Sequence, residues 1–251
     1  MHELADAEGD PVLDMTKWWQ PVAGEVLEIG DGPARRVPLP LAVAITSGVV
    51  IWGNAVVIAQ RRVGGDAGEI VTTIAHPVLG ATACAALLAT GWRGADLGLV
   101  PPSRAALAGW QRPAILLALG VGGVAIATAV RGGPYEGGSA RLSVLRVVVG
   151  TALGEELLHR AVLFPLWAAT RRSPRFVAVA HGIAFGAWHI AAVAPKGWGG
   201  RIVGILGPAI PGTALFLWAR CRSRSVAGSW LLHSSTNLPG VAAAAWSAKG
   251  R

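Results

Sequence analysis

The apolar residues of this 251-residue chain are gathered into runs long enough to cross a lipid bilayer, and that feature alone removes most soluble folds from consideration. Residues 38–59 and 114–130 are near-continuous apolar stretches, each close to the roughly 20 residues a helix needs to span the hydrocarbon core. In lipid every backbone N–H and C=O must find a partner within the protein, which leaves helices as the reading for such segments. Composition agrees, with 53% hydrophobic and 14% charged residues, against about a quarter charged in an ordinary soluble domain. The expected fold class is all-α, a polytopic membrane helical bundle of about seven to eight transmembrane helices. Seven spans are expected, at about 38–60, 70–91, 112–131, 142–169, 174–195, 201–221 and 226–246.

The breaks between spans combine charge with helix breakers, as in Arg61-Arg62-Val63-Gly64-Gly65-Asp66 and Arg171-Arg172-Ser173-Pro174. The segment 91–112 is too polar to span, and the stretch after Pro101-Pro102-Ser103 reads as a short helix lying at the membrane interface. Residues 1–31 carry eight of the 14 acidic residues and have no early apolar core, so the domain plan is a solvent-side acidic tail at 1–37 followed by one membrane domain at 38–251. The net charge of +8 sits in short Lys and Arg clusters between apolar runs, the pattern of membrane loops rather than of a nucleic-acid-binding face. Counted by side, 12 Lys and Arg accompany the N-terminus and nine lie opposite, which favours a cytoplasmic N-terminus. Eleven Trp suit interfacial anchoring. Cys84 and Cys221 form neither a disulfide framework nor a metal knuckle. An integral protein of the cell (plasma) membrane, in contact with lipids and with no nucleic-acid partner, is the expectation.

Three spans carry polar groups that lipid does not tolerate without compensation. Span 142–169 contains Gly154-Glu155-Glu156-Leu157-Leu158-His159-Arg160, and an acid at a helix centre costs about 2.5–3.5 kcal/mol on insertion scales. Glu156 and Arg160 are four apart, as are Glu155 and His159, so each pair can meet on one helical face. In span 174–195, His181, Phe185 and His189 recur every fourth residue and share a stripe. In the last span His233 and Asn237 repeat that spacing around Ser234-Ser235-Thr236, with Pro239 expected to bend or end the helix. Each cluster taken singly can be a packing device or an ion path. Together they must face the bundle interior, where glutamate can activate water while imidazole and amide groups donate to an oxyanion. The same groups can alternatively bind a divalent metal such as zinc through Glu155, His189 and His233, although no HExxH signature is present.

Glu155-Glu156 with Arg160 resembles an EExxxR motif, Phe185 with His189 resembles FxxxH, and His233 with Asn237 resembles HxxxN. In that order they resemble the CPBP family of intramembrane proteases, whose members include CAAX prenyl endopeptidases and bacteriocin-processing, Abi-like proteins. Asp96-Leu97-Gly98-Leu99 is similar to a short stretch ahead of that family's core. The resemblance implies a membrane endopeptidase acting on membrane-embedded or lipidated substrates, prenylated CAAX-type ones among the candidates. It implies that Glu155 activates water, that His189 assists, and that His233 and Asn237 stabilise the oxyanion. Glu156, Arg160 and Phe185 would shape the site, and His159 and His181 fall outside the motif positions. Members of the family are described both as metal-dependent and as metal-independent, so no cofactor is certain and zinc stays open. The competing functions are an ion-coupled transporter, for which no inverted repeat is evident, and a non-catalytic scaffold or immunity protein.

Overall fold

The computed structural model describes residues 36–102, 115, 119 and 144–249, and no strand occurs among the described residues. The acidic tail through residue 35, the interfacial segment beyond residue 102 and most of the span expected at 112–131 lie outside them.

The described helices are α1 (Leu39–Val63), α2 (Gly65–Ala89), a short α3 (Gly94–Leu97), a continuous helical run α4 over 146–168, α5 (Pro174–Ala187), a short α6 (Ile190–Val193), α7 (Trp198–Ser223) and α8 (Val226–Lys249). Helices α1, α2 and α7 are long and apolar enough to cross a membrane. Large apolar side chains such as Ile51, Val78, Ile183 and Ile210 point outward, which suits a lipid-facing surface and not a watery one. The buried side chains include the ionisable Glu69, His76, Glu155, Glu156, His159, Arg160, His181 and Arg220. Ionisable groups within the helices turn inward beside a buried apolar core, while many large apolar side chains face outward, the arrangement lipid demands.

α1 and α2 reverse direction at Gly64 and Gly65, whose φ values of 69° and 52° lie where side chains with a Cβ are strained. α2 then packs on α4 through glycine. A Cβ at Gly150 would fall 2.6 Å from Thr73 Cα, and one at Gly154 would overlap the His76 side chain and fall 2.9 Å from the Pro77 nitrogen. Gly150 and Gly154 thus form a small-xxx-small stripe that lets two backbones approach. An ion pair between Arg146 and Glu69 ties the same two helices at one end. At the other end, the α7–α8 turn is stitched to the Asp96-Leu97-Gly98-Leu99 stretch: Arg220 donates to the Asp96 carbonyl at 3.1 Å, and the Val226 N–H to the Gly98 carbonyl at 2.9 Å.

Two expectations need correction. The span at 174–195 is not one helix: it breaks at Trp188 and His189, between α5 and α6. Pro239 does not end the last helix, which continues to Lys249. The missing N–H of an interior proline removes one intrahelical bond, and lipid-exposed helices tolerate that where neighbours satisfy the freed carbonyl.

Candidate active site

α4 supplies both glutamates, and its winding is unusual around them. The Gly154 N–H reaches the Val149 carbonyl and the Phe164 N–H reaches the His159 carbonyl, five residues back in each case. Such widened turns within helices are frequent at functional sites.

The two adjacent carboxylates have different surroundings. Glu156 is fully buried, and its Oε1 lies 3.1 Å from Arg160 Nη1 and 2.9 Å from His233 Nδ1. Arg160 is held in turn: Nη2 donates to the Gly212 carbonyl at 2.6 Å, and the guanidinium lies 4.3 Å over the Phe185 ring and 5.5 Å from that of Phe216. A buried acid is tolerable when paired and hydrogen-bonded in this way, and aromatic faces add to the stabilisation of a desolvated cation. Glu155 has no ion pair among the described residues. Its Oε1 accepts the Trp188 indole N–H at 3.2 Å, and its Oε2 is buried without a hydrogen-bond partner.

The expected pairing of Glu155 with His159 does not form. Trp188 takes Glu155 Oε1, Oε2 makes no hydrogen bond, and both His159 nitrogens are buried without partners. His159 is instead surrounded edge-on by rings, those of Phe185 at 4.8 Å, Trp188 at 5.2 Å and His181 at 5.8 Å. His181 Nε2 meets the His159 carbonyl at 3.2 Å, which ties α5 to α4.

Phe185 is the hub around which the motif residues gather. Besides Arg160 and His159, the His189 ring lies 5.2 Å and the His233 ring 6.3 Å from it. His189 sits at the α5–α6 break, half-buried, with Nδ1 2.8 Å from the Phe185 carbonyl. His233 on α8 is stacked on Phe216 of α7 at 4.3 Å, with 17° between the rings. Asn237, one turn further along, is half-buried and makes no side-chain hydrogen bond among the described residues.

Sequence reasoning missed His76 and Trp188. His76 on α2 is 2% exposed, its ring is 4.7 Å from that of Trp188, and it lies within electrostatic reach of Glu155 and His189. Its nitrogens make no full hydrogen bond, only a loose approach to the Gly150 backbone. The signal was legible, since an ionisable residue inside a span is a functional candidate by default. Trp188 had none, because tryptophan in a membrane chain reads first as an interfacial anchor.

Among the described residues, no three His, Cys, Asp or Glu side chains come together as metal ligands. The donors named for zinc are turned to other partners, Glu155 to Trp188, His189 Nδ1 to a carbonyl and His233 Nδ1 to Glu156. Such Nδ1 contacts leave the Nε2 atoms uncommitted, but these and Glu155 Oε2 do not converge as a ligand set among the described residues, and no step is derived through a metal.

Residues 137–239 match the family model described as Rce1-like, type II CAAX prenyl endopeptidase. Over that segment, the match supports a CPBP-family intramembrane protease. The segment contains α4 to α7 and the part of α8 that bears His233 and Asn237, and therefore all three motifs, while α1, α2 and α3 lie outside it. No curated protein and no solved structure matches the chain.

Proposed function

We propose that this chain is an intramembrane endopeptidase that hydrolyses peptide bonds of membrane-embedded or lipidated, CAAX-type substrates, with Glu155 as the base that activates water. One observation carries the reading: two adjacent buried glutamates each leave Oε2 without a hydrogen-bond partner, but Glu156 Oε1 is matched by Arg160 and His233, whereas Glu155 Oε1 is held by a single neutral N–H. Neighbouring carboxylates in unequal environments are the usual basis for unequal roles.

In this mechanism Glu155 Oε2 takes a proton from water as the hydroxyl oxygen attacks the scissile carbonyl carbon. The negative charge passes to the carbonyl oxygen. When both ring nitrogens carry protons, His233 has two N–H groups, one directed to Glu156 and the other, with the Asn237 amide, available to that oxyanion. The carbon–nitrogen bond then breaks as the proton on Glu155 passes to the leaving amine. His189 Nε2 assists in holding the water, and Glu156, Arg160 and Phe185 fix the geometry.

The wider architecture that goes with this reading is a membrane domain of seven to eight spans from residue 38 to 251, in the cell membrane, behind the acidic tail at 1–37. The deciding experiment is cleavage of a panel of prenylated and transmembrane peptides by the purified protein in detergent, beside Glu155→Gln, each with and without chelator. Product that needs Glu155 and survives chelation is the expected result. Product undiminished in Glu155→Gln overturns the assignment of the base.

A further inference from the structure

His189 does not lie within a helix. α5 ends at Ala187 and α6 begins at Ile190, and in the tight turn between them the His189 N–H bonds the Gly186 carbonyl at 3.0 Å. A helix break in an apolar setting leaves backbone groups without their ordinary partners. Here α1 supplies them. Asn54 Nδ2 donates to the Ala187 carbonyl at 3.0 Å and to the Val50 carbonyl at 2.8 Å, while Asn54 Oδ1 accepts the Ala191 N–H at 2.5 Å. Arg61, two turns along α1, donates to the carbonyls of Ala191 and Ala192 at 2.6 and 2.7 Å.

The chemistry of position 54 is narrowly constrained. Two carbonyls on one side and an N–H on the other fix which end of the amide is oxygen and which is nitrogen. A carboxylate in its place accepts but does not donate, and a guanidinium or ammonium donates but does not accept. The adjoining Gly53 lets the turn come close, since a Cβ there would overlap the Trp188 ring. One side chain therefore bonds the residue two before His189 and the residue two after it.

We propose that Asn54, supported by Arg61, is the positioning residue for His189, holding the α5–α6 turn so that the imidazole is presented beside Phe185. It acts through His189 and touches no substrate. It stands on α1, outside the segment that matches the protease family. The consequence for turnover rests on the endopeptidase reading, whereas the placement of His189 rests on the geometry alone.

The test pairs amide hydrogen exchange over residues 187–193 with kcat and KM on a cleaved peptide, for wild type, Asn54→Leu and Asn54→Asp in detergent. Asn54→Leu is expected to speed exchange at Ala191 by about tenfold or more while α2 and α8 exchange as in wild type, because a local opening is released without global unfolding. It should lower kcat by about 10- to 100-fold with KM nearly unchanged, the pattern of a lost transition-state interaction. Asn54→Asp keeps the acceptor for Ala191 and should fall between the two, and it carries the test if Asn54→Leu does not fold. Unchanged exchange at Ala191, or faster exchange with kcat intact, overturns the proposal. If wild type cleaves nothing, the endopeptidase reading falls, and the exchange data alone uphold or overturn the placement of His189.

Discussion

Replacing Trp188 by Phe removes the only hydrogen-bond donor that Glu155 has among the described residues and leaves an aromatic ring against Gly53, His76 and His159. A hydrogen bond to a charged group contributes about 1.5–3 kcal/mol net. If the freed carboxylate swings toward His159, whose nitrogens lack partners, that much orientation energy is lost from the reacting geometry. At 1.4 kcal/mol per tenfold, kcat should fall by about 10- to 100-fold. Removing the base itself, in Glu155→Gln, should cost at least the 10²–10⁴-fold that general base catalysis typically contributes. The assay is steady-state cleavage of one fluorogenic lipidated peptide by wild type, Trp188→Phe and Glu155→Gln, with thermal midpoints recorded alongside. The expected order is wild type, then Trp188→Phe, then Glu155→Gln, with KM alike in the two active forms. Trp188→Phe turning over at the wild-type rate, beside an inactive Glu155→Gln, would refute the claim that the indole N–H orients the base.

Two further predictions address the scaffold. Arg160→Met leaves Glu156 without its guanidinium partner, with only the His233 Nδ1 contact at Oε1, and should destabilise the protein by about 3–5 kcal/mol, with Glu156→Gln in the same chain restoring much of the loss. In a chain of this size that corresponds to a fall in thermal midpoint of about 6–20 °C, and a double variant no better than the single one would show that the pair is not the source. Gly154→Ala sets a Cβ against His76 and Pro77 and should lower both midpoint and activity, while Gly48→Ala, which meets nothing within 4 Å, should change neither by much. Equal behaviour of the two alanine variants would mean that the α2–α4 approach is not tight.

The sequence by itself determined the solvent, the class of fold and the identity of the polar residues that turn inward. Apolar runs near bilayer length force helices, because lipid offers the backbone no partners. Charged residues within those runs must find one another, and four-residue spacing was enough to pair Glu156 with Arg160, which meet at 3.1 Å. The same rule failed for Glu155 and His159, since spacing along one helix says nothing about a competitor arriving from another. Trp188 comes from the break after α5, and Gly53 on α1 makes room for its ring. Periodicity likewise treated residues 181–189 as one stripe, because the break at Trp188 and His189 contains no proline or glycine. That break exists because Asn54 and Arg61, more than 120 residues away along the chain, satisfy the backbone it leaves open. Local pattern fixes what each segment is; which glutamate stays unpaired, and where His189 points, are decided by contacts between helices that no local pattern records.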